Sequence, residues 1–530
     1  MKRIFISVLC LSAALAAGAQ TMYDALNFSE NNYAGTARTI GLNNAVTALG
    51  SDLGTIGINP AGSAVAGYSQ FTISPSMVFS ATDADFYDDN DRMTNNSGSR
   101  SRMALPNFAG TFVLETGRNR GLKSMTFGLV SNTTNNWLDR FDAKAGGSVS
   151  SLFGAEASYA QAAGYDPSML ASSAGYDNYR WQSVSAYQSG LISDFGNNNF
   201  VGATEQVSQL DDGTYEISTA GYLDRKYSRK VSGTKYDIVF NYAMNFSDRL
   251  FVGVNLGFPC GHYAFSESQN EVASDPSEFT FSYDTGEKVS FMQATNSYAY
   301  SASLSGIYAK VGVIWLPIAG LRLGAAVQTP TAMEITERYQ VSNYSLFSNS
   351  ENRATSPQGE YSYNLYMPWR YNLGAAYTIG RYGLVSVDYE RVNYRNMRYE
   401  VIDDGYSYTD SFADVNNEIK TYAGASNMLR AGLEVKPTSK LAVRLGYALT
   451  TKDTDFVDTK VQSVSFGVGY SSDSAFFCDF AVRGTQYPVS YYSLYTYYNT
   501  DGSVNSDFAT PEIAMTRSLY EFVATFGWRF

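Results

Sequence analysis

The sequence predicts an all-β protein: a 14-stranded antiparallel transmembrane β-barrel with a short N-terminal hatch, or plug, inside the lumen. Three observations carry that reading. Aromatics make up 15% of the 530 residues, with 42 Tyr, 31 Phe and 45 Gly against 17% charged residues, a balance suited to strands and interfacial aromatic belts. Mean hydropathy is −0.22, and after the N-terminus no apolar run approaches the roughly 18 residues of a membrane helix. Finally, short turns and long polar loops alternate along the chain. Outer-membrane barrels are strung in this way, with all long connections at one end, and a soluble sandwich has no reason to be.

The chain begins with a secretory signal peptide, residues 1–19. Lys2 and Arg3 form its positive start, Ile4 to Leu15 its apolar stretch, and Ala17-Gly18-Ala19 a small-residue cleavage site. Cys10 is not a lipoprotein cysteine, because Leu9 stands where a small residue is required. Cleavage carries the formal charge from −12 to about −14, which excludes nucleic acid as a partner, since phosphates need a basic face. A secreted barrel belongs in the outer membrane of a Gram-negative bacterium. Cys260 and Cys478 lie far apart and outside any C-x-x-C pattern, so no disulfide framework is expected.

Segments with a period of two and one apolar face fall near 70–79, 107–115, 123–131, 235–246, 250–258, 303–316 and 321–330. The remaining seven fall near 366–379, 382–395, 427–436, 440–450, 462–471, 475–487 and 518–530. The last is the clearest: Tyr520, Phe522, Ala524, Phe526, Trp528 and Phe530 share one face, Glu521, Val523, Thr525, Gly527 and Arg529 the other. In a barrel the first set meets lipid and the second the lumen. Turn-forming residues such as Ser247-Asp248 and Pro437-Thr438-Ser439 join neighbouring strands into hairpins. The longest loop, 132–234, holds Leu152, Phe153, Met169, Leu170 and Trp181 among small polar residues.

Residues 20–66 show no period-two face, and the barrel with its loops occupies 67–530. The N-terminal segment runs Ala34-Gly35-Thr36-Ala37-Arg38, then Gly41 to Gly50, then Asn59-Pro60-Ala61-Gly62. Its small side chains suit a narrow lumen. By itself Asn-Pro-Ala is a turn, because Pro sets φ and Asn bonds the backbone two residues on; its place between a Gly/Ala run and the first strand points to a hatch. In this layout the chain resembles the FadL/TodX family of outer-membrane hydrophobic-compound transporters, whose hatch carries Asn-Pro-Ala, matched here by Asn59, Pro60 and Ala61. The motif resemblance covers about residues 34–62, and the family's ligand grooves lie in outer loops that this sequence does not match. The resemblance implies passive uptake of a hydrophobic compound, a long-chain fatty acid or similar, past the hatch and out sideways through a kink in the third strand. That strand carries Gly128, the candidate for the opening. Separately, Phe530, a terminal Phe on an aromatic last strand, resembles the signal by which outer-membrane barrels in general are recognised by the barrel-assembly machinery.

Inward parity puts Asp388, Glu390, Arg430, Glu434, Arg444, Asp479, Arg483, Glu521 and Arg529 in the lumen. They read as an ion-pair lattice that holds the barrel and anchors the plug, or alternatively as an ion-selective wall. Strands one to five offer Thr72, Ser74, Thr111, Val113, Thr126, Gly128, Val239, Asn241 and Gly253, almost without charge, as the path for an apolar solute. Enzymatic function is not expected. The one His, His262, sits in an expected loop Pro259-Cys260-Gly261-His262, and there is no G-x-S-x-G elbow. The acidic run Asp83, Asp85, Asp88, Asp89 and Asp91 lacks the EF-hand spacing and reads as a solvated loop. No metal or cofactor is expected. The expected partners are a hydrophobic small molecule or lipid, outer-membrane lipids and lipopolysaccharide, with the chain a monomer. Two other functions stay open: a FadL-like shuttle subunit of a type IX secretion system, and a general porin, which would need an open lumen.

Overall fold

A computed structural model describes residues 20–530 apart from 88–92, 210–214, 283–285, 403–411, 454–457, 473–474 and 509–510. The expected signal peptide and Asp88, Asp89 and Asp91 therefore lie outside the described residues. Fourteen antiparallel strands form one closed wall. They are β1 (Gln70–Tyr87), β2 (Met93–Glu115), β3 (Leu122–Ser148), β4 (Leu223–Phe246), β5 (Leu250–Ala273) and β6 (Lys288–Trp315). Then come β7 (Leu321–Gln328, continuing as Thr331–Phe347), β8 (Gly359–Met367 and Arg370–Ile379) and β9 (Gly383–Asn393 and Arg398–Val401). The circuit ends with β10 (Ala425–Val435), β11 (Leu441–Asp453), β12 (Asp458–Ser471), β13 (Phe476–Gln486) and β14 (Glu512–Arg529). β14 pairs with β1 from Gln70↔Arg529 to Tyr87↔Glu512. Ser69 and Phe530 exchange both backbone hydrogen bonds at the seam, while the Phe530 ring stays 75% exposed.

Every expected strand is present, and most run well past their expected outer ends. β3 reaches Ser148 and β4 begins at Leu223, so much of the expected 132–234 loop is paired strand. Likewise 80–106 is mostly β1 and β2, with Asp83 exposed on β1 and Asp85 accepting from Asn95 Nδ2. Pro259 to His262 is strand β5, with His262 opposite Thr234 and Ser303, and not a loop. The reason is physical. Outward side chains must be apolar only within the lipid, about ten residues per tilted strand, whereas backbone pairing continues above it. Outward Trp315, Tyr377, Tyr470 and Trp528 mark the short-turn end of the belt and Trp369, Tyr371 and Tyr520 the other.

Three adjacent strands bend at one level. β7 breaks at Thr329-Pro330, β8 at Pro368-Trp369 and β9 at the 3-10 turn Tyr394–Asn396. Proline cannot donate to the ladder, which accounts for the first two breaks. The bend receives α1 (Met22–Ser29), whose Met22, Ala25 and Phe28 pack on Met333, Ile335, Tyr363, Leu365, Met367 and Tyr394. Above the wall, the described residues of the 149–222 connection fold into a cap. Its α2 (Leu152–Ala162) and α3 (Trp181–Gln188) share an apolar cluster with Phe279, Phe291 and Phe347 of the neighbouring strands and loops. The apolar residues of this stretch thus form a core of their own.

Candidate functional site

Residues 20–66 lie inside the wall, and nearly every one beyond Tyr33 is buried. A segment with so little regular structure leaves many backbone groups unpaired, and each must find a partner. The wall supplies them. Asn255 Nδ2 donates to the Ile56 carbonyl at 2.8 Å, Lys310 Nζ to Gly57 at 2.7 Å, Arg322 to Leu49 at 2.7 Å and Ser386 to Ala45 at 2.6 Å. The C-terminal end of α1 receives cations, as its dipole favours: Lys235 Nζ donates to the Phe28 and Glu30 carbonyls at 2.7 and 2.8 Å, and Arg370 to that of Ser29.

The Asn-Pro-Ala-Gly stretch is a tight cap. Asn59 accepts from the Ala61 N–H at 3.1 Å and opens the 3-10 turn Pro60–Val65, while its Nδ2 donates to Thr47 in the plug at 2.7 Å and to Val313 of β6 at 3.1 Å. Asn241 of β4 donates to the Pro60 carbonyl at 3.0 Å, and Gly62 accepts from the Ser51 N–H at 2.9 Å. Asn59 to Gly62, expected to turn toward the wall near strands one to three, therefore rest instead on β4, β5 and β6. The wall meets it with inward glycines, Gly253 and Gly312, whose Cβ would collide with Pro60. Gly324 and Gly374 face Thr47 and Ala48 in the same way, and Gly446 faces Asn43. Inward glycines on successive strands were a sequence signal for a plug seat that the reading by apolar parity passed over.

The inward charges form buried chains. Glu390 accepts from Arg370 at 3.2 Å and from Arg430 at 2.5 Å. Glu434 accepts from Arg38 of the plug at 3.0 Å and Arg444 at 2.7 Å, and Arg444 reaches Asp479 at 2.5 Å. Arg483 pairs with Glu521 at 2.7 Å and donates to the Tyr33 carbonyl at 3.0 Å. Two expected members stand outside the chains. Asp388 accepts the Thr47 N–H at 2.7 Å, and Arg529 sits over Tyr68 and Phe477 and donates to Ser471 at 3.2 Å. Nor are the first five strands free of charge: buried Lys235 and Asp237 of β4 face inward, and Leu53 and Ile56 of the plug cover Ala109, Val130 and Val239. The expected bare path along that wall is filled by the plug.

The wall is interrupted between β2 and β3. Their ladder runs from Glu115↔Ser124 up to Asn107↔Asn132 and ends there, where the next residue of β2, Pro106, has no N–H to give. The β3–β4 register shifts between Thr133 and Asn135. Beyond this bulge β3 leans inward past β2: Leu138 packs on Val78 and Leu519, and Thr82 donates to Asp139 at 2.5 Å. The strands approach again at Gly98 and Arg140. The window between is edged by the plug, whose Asn32 and Ala34 N–H groups donate to Thr134 and Thr133 at 2.6 and 2.9 Å. It is spanned by side chains of β2, Arg100 donating to the Val231 carbonyl at 2.6 Å and Arg102 to that of Gly233 at 2.9 Å. Gly128 sits lower, in unbroken register with Thr111 and Asn241, its Cβ position 3.1 Å from Thr111 Cγ2.

Two cavities lie on either side of α1. The upper, about 430 Å³, is walled by α1, the cap and β4–β7, with Trp181, Tyr227, Phe265, Tyr298, Tyr300 and Tyr339 around it. The lower, about 160 Å³, runs from Asn27 and Tyr33 of the plug to Asn135 and Trp137 of β3 at the window. Trp137 donates its indole N–H to Asn27 at 2.8 Å, tying α1 to the window's edge.

This architecture is found in solved structures. The Pseudomonas putida toluene transporter TodX matches at TM-score 0.50 and 12% identity, over 95% of this chain and 99% of that one. A Pseudomonas aeruginosa FadL homologue matches at TM-score 0.52 and 11% identity, over 94% and 99%. At such identities the likeness is one of fold. No family model matches the sequence, and no curated protein sequence does.

Proposed function

We propose that the chain is an outer-membrane channel for an uncharged hydrophobic small molecule, which enters the upper cavity, passes α1 and leaves sideways through the β2–β3 window. The observation that carries this is the window itself, an interrupted ladder facing lipid on one side and a cavity beside the plug on the other. Sideways exit spares an apolar solute the aqueous periplasm, at about 25 cal/mol per Å² kept from water. The fold shared with a toluene transporter supports the ligand class. So does the upper cavity, where aromatic rings stand with Asp24, Glu156, Glu267 and Glu337 against Arg180 and Arg229. That excess of carboxylates disfavours a fatty-acid anion, and labelled toluene is expected to enter faster than labelled oleate. A plug that fills the lumen speaks against a general porin.

The test is a lock. Ala34 and Thr133 are bridge partners, a spacing a disulfide can span. In a background of Cys260→Ser and Cys478→Ser, the pair Ala34→Cys and Thr133→Cys is expected to stop toluene uptake when oxidised and restore it when reduced. Uptake at the wild-type rate with the bridge formed would retire the lateral route. A cargo-holding shuttle needs no window, so the same lock leaves that function intact. Phe530 we read as the assembly signal. Its deletion is expected to lower the heat-modifiable fraction in outer membranes, and an unchanged folded yield would remove that role.

A further inference from the structure

Above the lipid belt, β3 and β4 carry an arrangement of charge that the wall itself does not balance. On the inward face of β4, Arg225 and Arg229 pair with Glu271 and Glu267 of β5. On the outward face, Lys226 stands directly opposite Lys144, and Lys230 directly opposite Arg140. Like charges in register on neighbouring strands repel. Between the two pairs lies Asp142, which ion-pairs with Arg140 at 3.2 Å and accepts from Ser228 at 2.6 Å. With the exposed Asp224 two residues from Lys226 on the same face, four cations and two carboxylates thus share one patch of a chain whose formal charge is −12.

The patch forms one rim of a groove of about 580 Å³ that continues across β5, β6 and β7. Its floor is Ser266, Ser268, Ser297, Ala299 and Ser342, short side chains with four hydroxyls turned up. Height along the strand narrows the occupant. The outward row of β4 is lipid-facing at Phe240 and Ile238. Lys230 lies six residues before Tyr236 on the same face, roughly 15 Å higher at the rise of a tilted strand. Phospholipid headgroups do not reach that level, whereas the phosphorylated, acidic saccharide of an outer-leaflet lipopolysaccharide does.

We infer that this groove is a binding site for the anionic saccharide core of a lipopolysaccharide. Phosphate and sugar-acid carboxylate groups sit between the opposed Lys144/Lys226 and Arg140/Lys230 pairs, and sugar hydroxyls meet the serine floor. The inference is separate from the transport reading, since binding is measured without uptake and the cysteine lock leaves the groove untouched.

The test uses the full-length barrel in detergent, with purified rough lipopolysaccharide as the probe. Wild type is expected to bind it and to unfold at higher urea in its presence. The variant Lys144→Gln/Lys226→Gln/Lys230→Gln is expected to bind at least tenfold more weakly, and added salt should erase the difference, because exposed charges are screened. Without lipopolysaccharide the variant should be no less stable than wild type, since the repulsion is gone; that arm separates lost binding from lost folding. Equal binding by the variant, or equal binding of enzymatically dephosphorylated lipopolysaccharide, would overturn the inference. Full displacement by millimolar inorganic phosphate would make the patch a free-anion site and overturn it too.

Discussion

Gly253→Val and Gly312→Val are expected to turn a closed barrel into a leaking one. A Cβ at Gly253 would lie 2.6 Å from the Ala61 nitrogen, and one at Gly312 would lie 2.7 Å from Pro60 Cδ. Neither neighbour is the free end of a side chain. The wall is held on both sides by the β4–β5 and β5–β6 ladders, and a packed interior does not absorb added methyls without movement. The plug must therefore give way, losing the Asn59 bond to Val313 and the Asn241 bond to Pro60. Folded, heat-modifiable protein should still form, because the lipid-facing side is unchanged. Planar-bilayer conductance and sensitivity of cells to large antibiotics should both rise by an order of magnitude or more. Folded valine variants with wild-type conductance would mean that the Asn-Pro-Ala turn does not seal the lumen.

Glu434→Ala is expected to be the most destabilising single change in the lumen. Glu434 is buried and accepts from both Arg38 and Arg444. Its removal strands one guanidinium and leaves the other with Asp479 alone. Breaking a buried pair in this way costs about 3–5 kcal/mol, which should appear as a lowered urea midpoint by tryptophan fluorescence in lipid vesicles. Arg38→Ala should cost less, since Glu434 keeps Arg444. The double variant should fall short of the sum, because both changes act on one pair. An unchanged midpoint for Glu434→Ala would show that water reaches the site and solvates the arginines.

Legibility in the sequence followed the range of the interaction concerned. Tyr520, Phe522, Phe526 and Trp528 are exposed on β14 and Glu521, Val523 and Thr525 buried, as their alternation indicates. Period two is a property of neighbours two residues apart and needs no knowledge of the fold. The same parity puts Glu390, Arg430, Glu434 and Arg444 inside. It fails above the membrane, where the outward face of 93–104 has no lipid to meet and its strand shows no apolar alternation. Nor could parity choose partners. Asp388 and Glu390 have identical parity, yet one caps the plug backbone and the other bridges two arginines.

The window shows the same division. Gly128, which has no side chain, is the sequence's candidate for the opening, but it is flanked by intact pairing on both sides. The ladder ends where Pro106 would have to donate, and the bulge follows at Thr133. Pro106 is plain in the sequence; that it falls one residue beyond the last β2–β3 pair, Asn107↔Asn132, depends on the register between strands, which the turn at 116–121 sets. What the sequence by itself determined is the barrel, its strand number and the face each strand shows to lipid, because these follow from local alternation against a nonpolar solvent. The tertiary structure alone decided which wall residues hold the plug, where the wall opens and where four cations meet. Those depend on contacts such as Arg38 with Glu434 and Tyr33 with Arg483, between residues far apart in the chain, whose geometry exists only once the ring of strands has closed.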